Sequence, residues 1–228
     1  GRLAWRVVVP ARNPYGEWEV LVDALTGRVL GEPEPLFATA PQARVFVPNA
    51  VVATNNVSLT DGGNSGAAVP ESAYTLVELQ GLDNSGFLNG PFVSTDRTDN
   101  RVNSANGDFT ALRRDDSGFA EVEVYWAIDY AQRYIQNTLG IFSAANYVIK
   151  ADCHAFSDDN SNYTRTSSNT GVLNFGDGGV DDAQDAEIIW HEYGHAILDN
   201  SGPISFGGEP GAIHEGWGDY VAATLSTT

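Results

Sequence analysis

The stretch from Trp190 to His195 constrains this chain more than any other part of the sequence. It reads WHEYGH, so His191 and His195 stand four residues apart with Glu192 between them. Residues four apart lie on one face of an α-helix, so both imidazoles can reach a single ion. Glu192 then stands beside that ion, where it can take a proton from water. The pattern predicts a zinc-binding helix; the alternative is a surface helix with two incidental histidines.

Nineteen residues separate His195 from a second polar group, which stands immediately before the apolar run 220–225. Its residues Glu215 and Asp219 are again four apart and therefore share a helical face. A catalytic zinc takes three protein ligands and leaves one position open. We therefore expect His191, His195 and Glu215 to be the ligands. We expect Asp219 to accept the free N–H of a ligand histidine. Taken alone, Glu215 is equally well explained as a solvated helix residue.

The acidic composition limits the classes of partner. Twelve basic residues stand against 30 acidic ones, a net charge of −18, which argues against nucleic acid and anionic membranes. No apolar run is long enough to span a membrane. Aspartates concentrate in polar loops at 158–160 and 177–182, which fits either calcium binding or a soluble acidic surface. The single cysteine, Cys153, excludes an internal disulfide, and we interpret Cys153 and His154 as neighbours on a strand.

The first residues predict a small antiparallel meander. Strand-like runs at 3–9 and 17–23 flank turn residues at 13–16, and the Pro-rich segment 32–35 has no helical or strand period. We therefore predict a domain boundary near residue 36, which divides the chain into 1–36 and 37–228.

The remainder predicts an α+β fold, because strand patterns give way to helical periods along the chain. Aromatic residues recur at three- to four-residue spacing after Ala120 and indicate a long helix that stops at Gly140. The other elements predicted are strands at 44–48, 74–79, 147–150 and 171–175, hairpins within 81–108, loops at 54–67 and 157–169, and the metal helix at 181–198.

These residues resemble the thermolysin-like zinc metallopeptidases, the gluzincins, and particularly their fungalysin-like branch. The resemblance covers most of the chain: the long helix, the turn at 174–178, the H-E-x-x-H helix and the segment 215–219. It implies a β-rich catalytic N-terminal lobe with long helices, and a helical C-terminal lobe across a cleft. The sequence ends at Thr228. We therefore expect that helical lobe to be largely absent here, and a C-terminal lobe or a partner chain to complete the site.

The resemblance also assigns roles outside the metal ligands. Residues 18–30 resemble the end of the prodomain that precedes such peptidases, although an ordinary N-terminal hairpin is the alternative. Members of the family pair an extended peptide with an edge strand, and Asn160 and Tyr163 are the best match here to the Asn-x-x-aromatic segment that does so. By the same resemblance Asp185 and Glu187 are candidate calcium ligands. The preference of a helix N-terminus for negative charge explains them equally.

Together these inferences predict a secreted zinc endopeptidase that acts on peptides or proteins. His191, His195 and Glu215 would hold zinc, Glu192 would be the general base, and Asp219 would orient an imidazole, that of His191. The alternatives are a catalytically silent, metal-stabilised module and an aminopeptidase that uses the same zinc ligands.

Overall fold

A four-stranded sheet with the order β6-β8-β10-β9 supports the predicted metal helix. The computed structural model describes residues 3–12, 15–35, 40–59, 69–83, 85–167, 170–202 and 204–227. β6 and β10 run parallel to β8, and β9 runs antiparallel to β10 at the edge of the sheet. The strands are β6 (Val93–Ser94), β8 (Ile149–Phe156), β9 (Ser161–Ser167) and β10 (Thr170–Gly176).

The described chain has four helices, of which the second and third pack against these sheets and the fourth packs against the third. They are α1 (Ala50–Thr54), α2 (Ser117–Arg133), α3 (Ala186–Ser201) and α4 (Gly208–Leu225), and a π-helical turn, Tyr134–Thr138, extends α2. α2 is buried along most of its length, as its aromatic periodicity predicts. The side chain of Asp185 accepts a hydrogen bond from the backbone N–H of Glu187 and so caps α3. No helix in the described ranges is long and apolar enough to cross a membrane.

The position of α3 against α2 is fixed by two buried hydrogen bonds as well as by apolar packing. The indole N–H of Trp190 donates to the carbonyl of Ala127 at 2.9 Å. The hydroxyl of Tyr193 donates to the amide oxygen of Gln132 at 2.7 Å. Both aromatic side chains are almost fully buried, so these two polar groups have no water as an alternative partner.

A second sheet, with the order β5-β4-β7, covers the other end of α2. Its strands are β4 (Gln42–Val45), β5 (Thr75–Glu78) and β7 (Asp108–Phe109). Phe46 directly follows β4 and Tyr74 directly precedes β5. Both rings pack edge to face with Phe119 of α2. This cluster joins the second sheet to the helix that also supports α3.

The N-terminal meander forms a third sheet, with the order β1-β2-β3. Its strands are β1 (Ala4–Arg12), β2 (Tyr15–Asp23) and β3 (Glu34–Pro35). Pro35 pairs with Trp18, so the predicted Pro-rich segment 32–35 ends in a short strand. Residues 13 and 14 of the predicted turn and residues 36–39 at the predicted boundary lie outside the described residues. The boundary near residue 36 therefore stays a prediction.

The α+β class is confirmed, and several element predictions need correction. The prediction of a loop at 157–169 was wrong, because β9 occupies most of it. β9 is an edge strand with few buried side chains, so its polar sequence has no apolar alternation. Within 81–108, where hairpins were predicted, β6 and β7 pair in parallel with β8 and β4, and hairpin-like pairing is limited to an isolated antiparallel bridge between Asn89 and Ser94. The metal helix begins at Ala186, after a 3₁₀ turn at Asp182–Gln184.

Candidate metal centre

α3 and α4 bring the three predicted ligands together. The Nε2 atom of His191 lies 3.3 Å from one carboxylate oxygen of Glu215, and Nε2 of His195 lies 3.8 Å from the other. One ligand atom from each residue falls within 4.8 Å of the other two. In the described part of the chain this is the one group of three or more histidine, cysteine, aspartate or glutamate side chains that converges in this way.

The two helices approach closely enough for this because glycines meet at their crossing. A Cβ atom added to Gly194 of α3 would lie 2.9 Å from the Cα atom of Gly218 in α4. A Cβ atom added to Gly218 would lie 2.9 Å from Cε1 and Nδ1 of His191. Real Cβ atoms do not approach other atoms so closely, so the backbone of α4 itself forms the wall against which the His191 ring rests.

Asp219 takes the position predicted for it. Its carboxylate lies 2.9 Å from Nδ1 of His191, one helical turn after Glu215. A carboxylate acceptor on Nδ1 places the proton there and leaves Nε2 free as a metal donor. The free Nε2 atom is the one that faces Glu215. The two carboxylates of α4 therefore hold the same imidazole from both of its nitrogens.

Glu192 lies beside this group in a largely buried position. Burial raises the pKa of Glu192 to about 7, and the nearby Glu215 carboxylate adds to the rise. His191 and the backbone N–H of Tyr163 in β9 oppose it. One carboxylate oxygen of Glu192 has no hydrogen-bond partner among the described residues. A buried carboxyl with a pKa near neutrality and a free oxygen is suited to accept and return a proton at physiological pH.

His195 is the more buried of the two predicted histidine ligands. Burial lowers the pKa of His195 to about 4, and the nearby His191 ring adds to the effect. The imidazole is therefore neutral at physiological pH, which is the form that binds a metal ion. Its Nδ1 atom is buried and has no hydrogen-bond partner in the described residues.

His214 is a neighbour of the centre that the sequence analysis did not identify. It directly precedes Glu215 in α4, it is fully buried, and its ring centroid lies 5.5 Å from that of His195. Burial lowers the pKa of His214, and the nearby backbone carbonyl of Ile204 partly offsets the effect. Neither ring nitrogen of His214 makes a hydrogen bond to the described residues. The sequence held one signal for it, since His214 is one of only four histidines and the third within 24 residues.

A groove of about 520 Å³ opens beside Glu192 and His191. Asn160, one of the two predicted substrate-binding residues, lines it. Carboxylates dominate the rest of the lining, including those of Asp159 and Asp182. The groove is therefore an acidic passage that leads to the predicted ligands.

Tyr163, the second predicted substrate-binding residue, directs its side chain inward. Its hydroxyl donates to the fully buried carboxylate of Asp199 at 2.7 Å. Arg165 pairs with the same carboxylate and also donates to the carbonyl of Ile204 at 2.8 Å. Only the backbone of Tyr163 approaches the centre, at Glu192. The Tyr163 side chain therefore ties β9 to α3.

The two candidate calcium ligands have protein partners instead. Asp185 caps α3. The carboxylate of Glu187 accepts hydrogen bonds from Asn49 at 3.3 Å and from Ser226 at 2.7 Å. Both carboxylates thus meet backbone and side-chain donors at the start of a helix, the arrangement that helix-terminal charge predicts. A calcium site at these residues stays a prediction.

The donor set fits zinc. Nitrogen and oxygen ligands about 2.0–2.2 Å from one tetrahedral zinc ion lie roughly 3.3–3.6 Å apart. The two histidines lie 3.3 and 3.8 Å from different oxygens of the Glu215 carboxylate, and one ligand atom from each of the three residues falls within 4.8 Å of the others, so small side-chain adjustments bring the three to that spacing. Two imidazoles and one carboxylate supply three ligands, and the acidic groove lies next to one of them, His191.

No family model matches this chain, and no curated protein matches it.

Proposed function

We propose that this chain is the catalytic part of a zinc-dependent endopeptidase with a thermolysin-like N-terminal lobe. The observation that carries the proposal is the convergence of His191, His195 and Glu215 beside a buried carboxyl, Glu192. Three such ligands with one open direction are the arrangement of a catalytic zinc site rather than a structural one, which has four protein ligands.

Each residue of the centre has a separate role in the proposed hydrolysis. When bound, zinc would act as a Lewis acid on the scissile carbonyl and lower the pKa of water toward about 7. Glu192, a buried carboxyl beside the ligands, takes a proton from the attacking water and delivers it to the leaving amine. Asp219 holds the His191 ring in the orientation and tautomer that a metal ligand requires.

The groove and β9 supply the proposed substrate site. β9 is the edge strand of its sheet, so one side of its backbone is available to pair with an extended peptide. The backbone of Tyr163 in this strand reaches Glu192, which brings such a peptide to the proposed base. Asn160, at the start of the strand, lines the groove and can bind the peptide backbone with its amide. Secretion, which the thermolysin-like resemblance implies, is part of the same proposal.

A catalytically silent, metal-stabilised module is the second candidate, and one observation favours it. Within the described part of the chain, the groove lining includes no lysine, arginine or tyrosine, and His191 is its one histidine. A tetrahedral intermediate develops a negative oxygen that peptidases stabilise with a positioned donor, and loss of one donor costs on the order of 10²–10³-fold in rate. A C-terminal lobe or a partner chain would have to supply that donor.

The test is hydrolysis of an internally quenched peptide with both ends blocked, with and without a zinc chelator. The endopeptidase predicts cleavage that the chelator abolishes and added zinc restores. Glu192→Gln should bind zinc as the wild type does and should not cleave, because it keeps the shape of the side chain and removes the base. Cleavage by Glu192→Gln would exclude Glu192 as the base. Bound zinc without cleavage by the wild type would favour the silent module, and cleavage of unblocked peptides alone would indicate an aminopeptidase.

A further inference from the structure

A second groove, of about 480 Å³, runs along the C-terminal half of α2. Among the described residues it shares no lining residue with the groove beside Glu192. The end of β5, α2 and the π-helical turn Tyr134–Thr138 form its walls. Its volume lies within the ~300–1,000 Å³ typical of small-molecule sites, and π-helical turns within α-helices frequently lie at functional sites. The groove therefore has the size and the helix geometry of a ligand site that the proposed hydrolysis does not use.

Aromatic side chains form one wall of this groove. The rings of Trp126 and Tyr130, one helical turn apart, stack with centroids 5.6 Å apart and an angle of 25° between their planes. Both are half-buried, and both contact the buried ring of Trp190 in α3, with ring centroids 6.2 and 6.1 Å away. Tyr134 adds a third aromatic side chain to the lining. Aromatic rings supported in this way offer a flat apolar surface to a ligand.

Asp129 is the buried polar residue of the groove. One of its carboxylate oxygens accepts a hydrogen bond from Nε of Arg133 at 2.6 Å. The other oxygen is buried and has no hydrogen-bond partner among the described residues. Burial raises the pKa of Asp129, and the Arg133 guanidinium opposes the rise. A buried acceptor without a partner is destabilising, so a ligand hydroxyl that donates to this oxygen would be bound favourably.

The rim of the groove consists of exposed side chains that form hydrogen bonds. Glu78 and Gln80 lie at and just after the end of β5, and Asn137 and Thr138 lie in the π-helical turn. Their carboxylate, amide and hydroxyl groups supply both donors and acceptors. In the described part of the chain, no aliphatic side chain lines the groove. A ligand that fits must therefore present an apolar face to the rings and hydroxyl groups to the other walls.

The charges of the lining favour a neutral ligand. Aromatic rings and carboxylates attract cations, but the guanidinium of Arg133 already takes that place, because it lies in the lining and pairs with Asp129. No lysine lines the described groove, so a phosphate would meet only this paired guanidinium. The exposed carboxylate of Glu78 is screened by solvent.

We propose that this groove is a saccharide-binding site. A pyranose ring has one face of C–H bonds and an edge of hydroxyl groups, which matches the two kinds of wall. The C–H face lies on Trp126 and Tyr130, a hydroxyl donates to the buried oxygen of Asp129, and further hydroxyls bind Gln80 and Asn137. The site goes beyond the proposed zinc centre and does not depend on it.

The test is saturation-transfer NMR and titration calorimetry of the full chain with glucose, galactose, N-acetylglucosamine, cellobiose and chitobiose. Choline and inorganic phosphate are the charged probes. We expect at least one neutral sugar to bind, with saturation concentrated on the protons of one face of its ring. A zinc chelator should leave this binding unchanged, which separates it from the proposed metal centre.

Three variants locate the site on the protein. Trp126→Ala removes half of the aromatic wall and should weaken sugar binding at least about 10-fold. Gln80→Ala and Asn137→Ala each remove one hydrogen-bonding side chain and should weaken it about 2- to 10-fold. Phe142→Ala is the matched control, because Phe142 is 63% exposed and does not line the groove. It should bind sugar as the wild type does.

The outcomes decide even if Trp126→Ala fails to fold, because Gln80 and Asn137 are exposed and their removal leaves the core intact. Wild-type affinity in both Gln80→Ala and Asn137→Ala would overturn the proposal. Failure of every sugar to bind at about 10 mM would also overturn it, as would tighter binding of choline or phosphate. Loss of sugar binding in Phe142→Ala would place the binding outside the groove.

Discussion

Substitution of Gly218 by alanine should separate zinc affinity from fold stability. The new Cβ atom would lie 2.9 Å from two atoms of the His191 ring, whereas ordinary contact begins at 3.4 Å. The ring or the helix must therefore shift by about 0.5 Å, which is the tolerance within which a functional site has to be held. The hydrogen bond from His191 to Asp219 opposes a shift of the ring alone, since Asp219 is the next residue of the same helix.

We expect Gly218→Ala to bind zinc 10–100-fold more weakly, a loss of about 1.4–2.8 kcal/mol in binding free energy. In the zinc-free protein the same change removes a glycine from a helix interior, which favours the folded state by up to about 1 kcal/mol. Strain at the crossing offsets that gain. Zinc should therefore raise the melting temperature of Gly218→Ala much less than that of the wild type.

Gly216→Ala is the matched control. Gly216 lies two residues away in α4, and a Cβ atom added there meets nothing within 4 Å. It should show the gain in helix stability and full zinc affinity. The two variants are compared by chelator competition and by thermal unfolding with and without zinc. Equal zinc affinity for Gly218→Ala and Gly216→Ala would refute the idea that the backbone of α4 seats the His191 ring.

Two further predictions concern residues away from the metal ligands. Tyr163→Phe should destabilise the fold by about 1.5–3 kcal/mol in urea unfolding, because it removes a hydrogen bond to the buried carboxylate of Asp199, while KM for a peptide stays unchanged. A raised KM and an unchanged free energy of unfolding for Tyr163→Phe would instead indicate that the Tyr163 hydroxyl contacts the substrate. Burial opposes protonation of His154, but its contacts with Asp177 and the carbonyl of Ser117 outweigh this and raise its pKa above the ordinary 6.5. The contribution of protonated His154 to the free energy of unfolding should therefore be complete below pH 6.5 and disappear as the pH rises through the folded-state pKa. In unfolding experiments across that range, His154→Gln should lack this pH dependence. The same pH profile for wild type and variant would contradict the assignment.

The geometry within each helix of the centre was predictable, because spacing along a helix determines which side chains share a face. The sequence alone placed His191 with His195 and Glu215 with Asp219, and the structure brings the two pairs together. The close approach of the two pairs depends on the crossing of α3 and α4 at Gly194 and Gly218, which the sequence periodicity of either helix does not predict. A glycine in a helix is simply an unfavourable residue until the partner helix is known.

The failures share a physical cause, which is that the decisive contacts join residues far apart in the chain. β9 is polar because its outward face meets solvent, so its strand character comes from pairing with β10 rather than from its own pattern. The role of Tyr163 in substrate binding came from a local motif and stays a prediction, but the motif did not indicate that its hydroxyl donates to Asp199, 36 residues away. His214 lacks a pattern of its own, and its significance appears only beside His195.

The two buried hydrogen bonds from α3 to α2 fix the rotation of α3 about its own axis. Trp190 and Tyr193 flank the pair His191 and Glu192 in the sequence, and they point to the opposite side, into α2. Rotating α3 by one residue would turn every side chain by about 100° and leave a buried indole N–H and a buried hydroxyl without acceptors. Side chains on the face of α3 that points away from the candidate metal centre thus exclude the neighbouring orientations of the helix. The contacts between α3 and α2 therefore determine the direction in which the proposed base and ligands face.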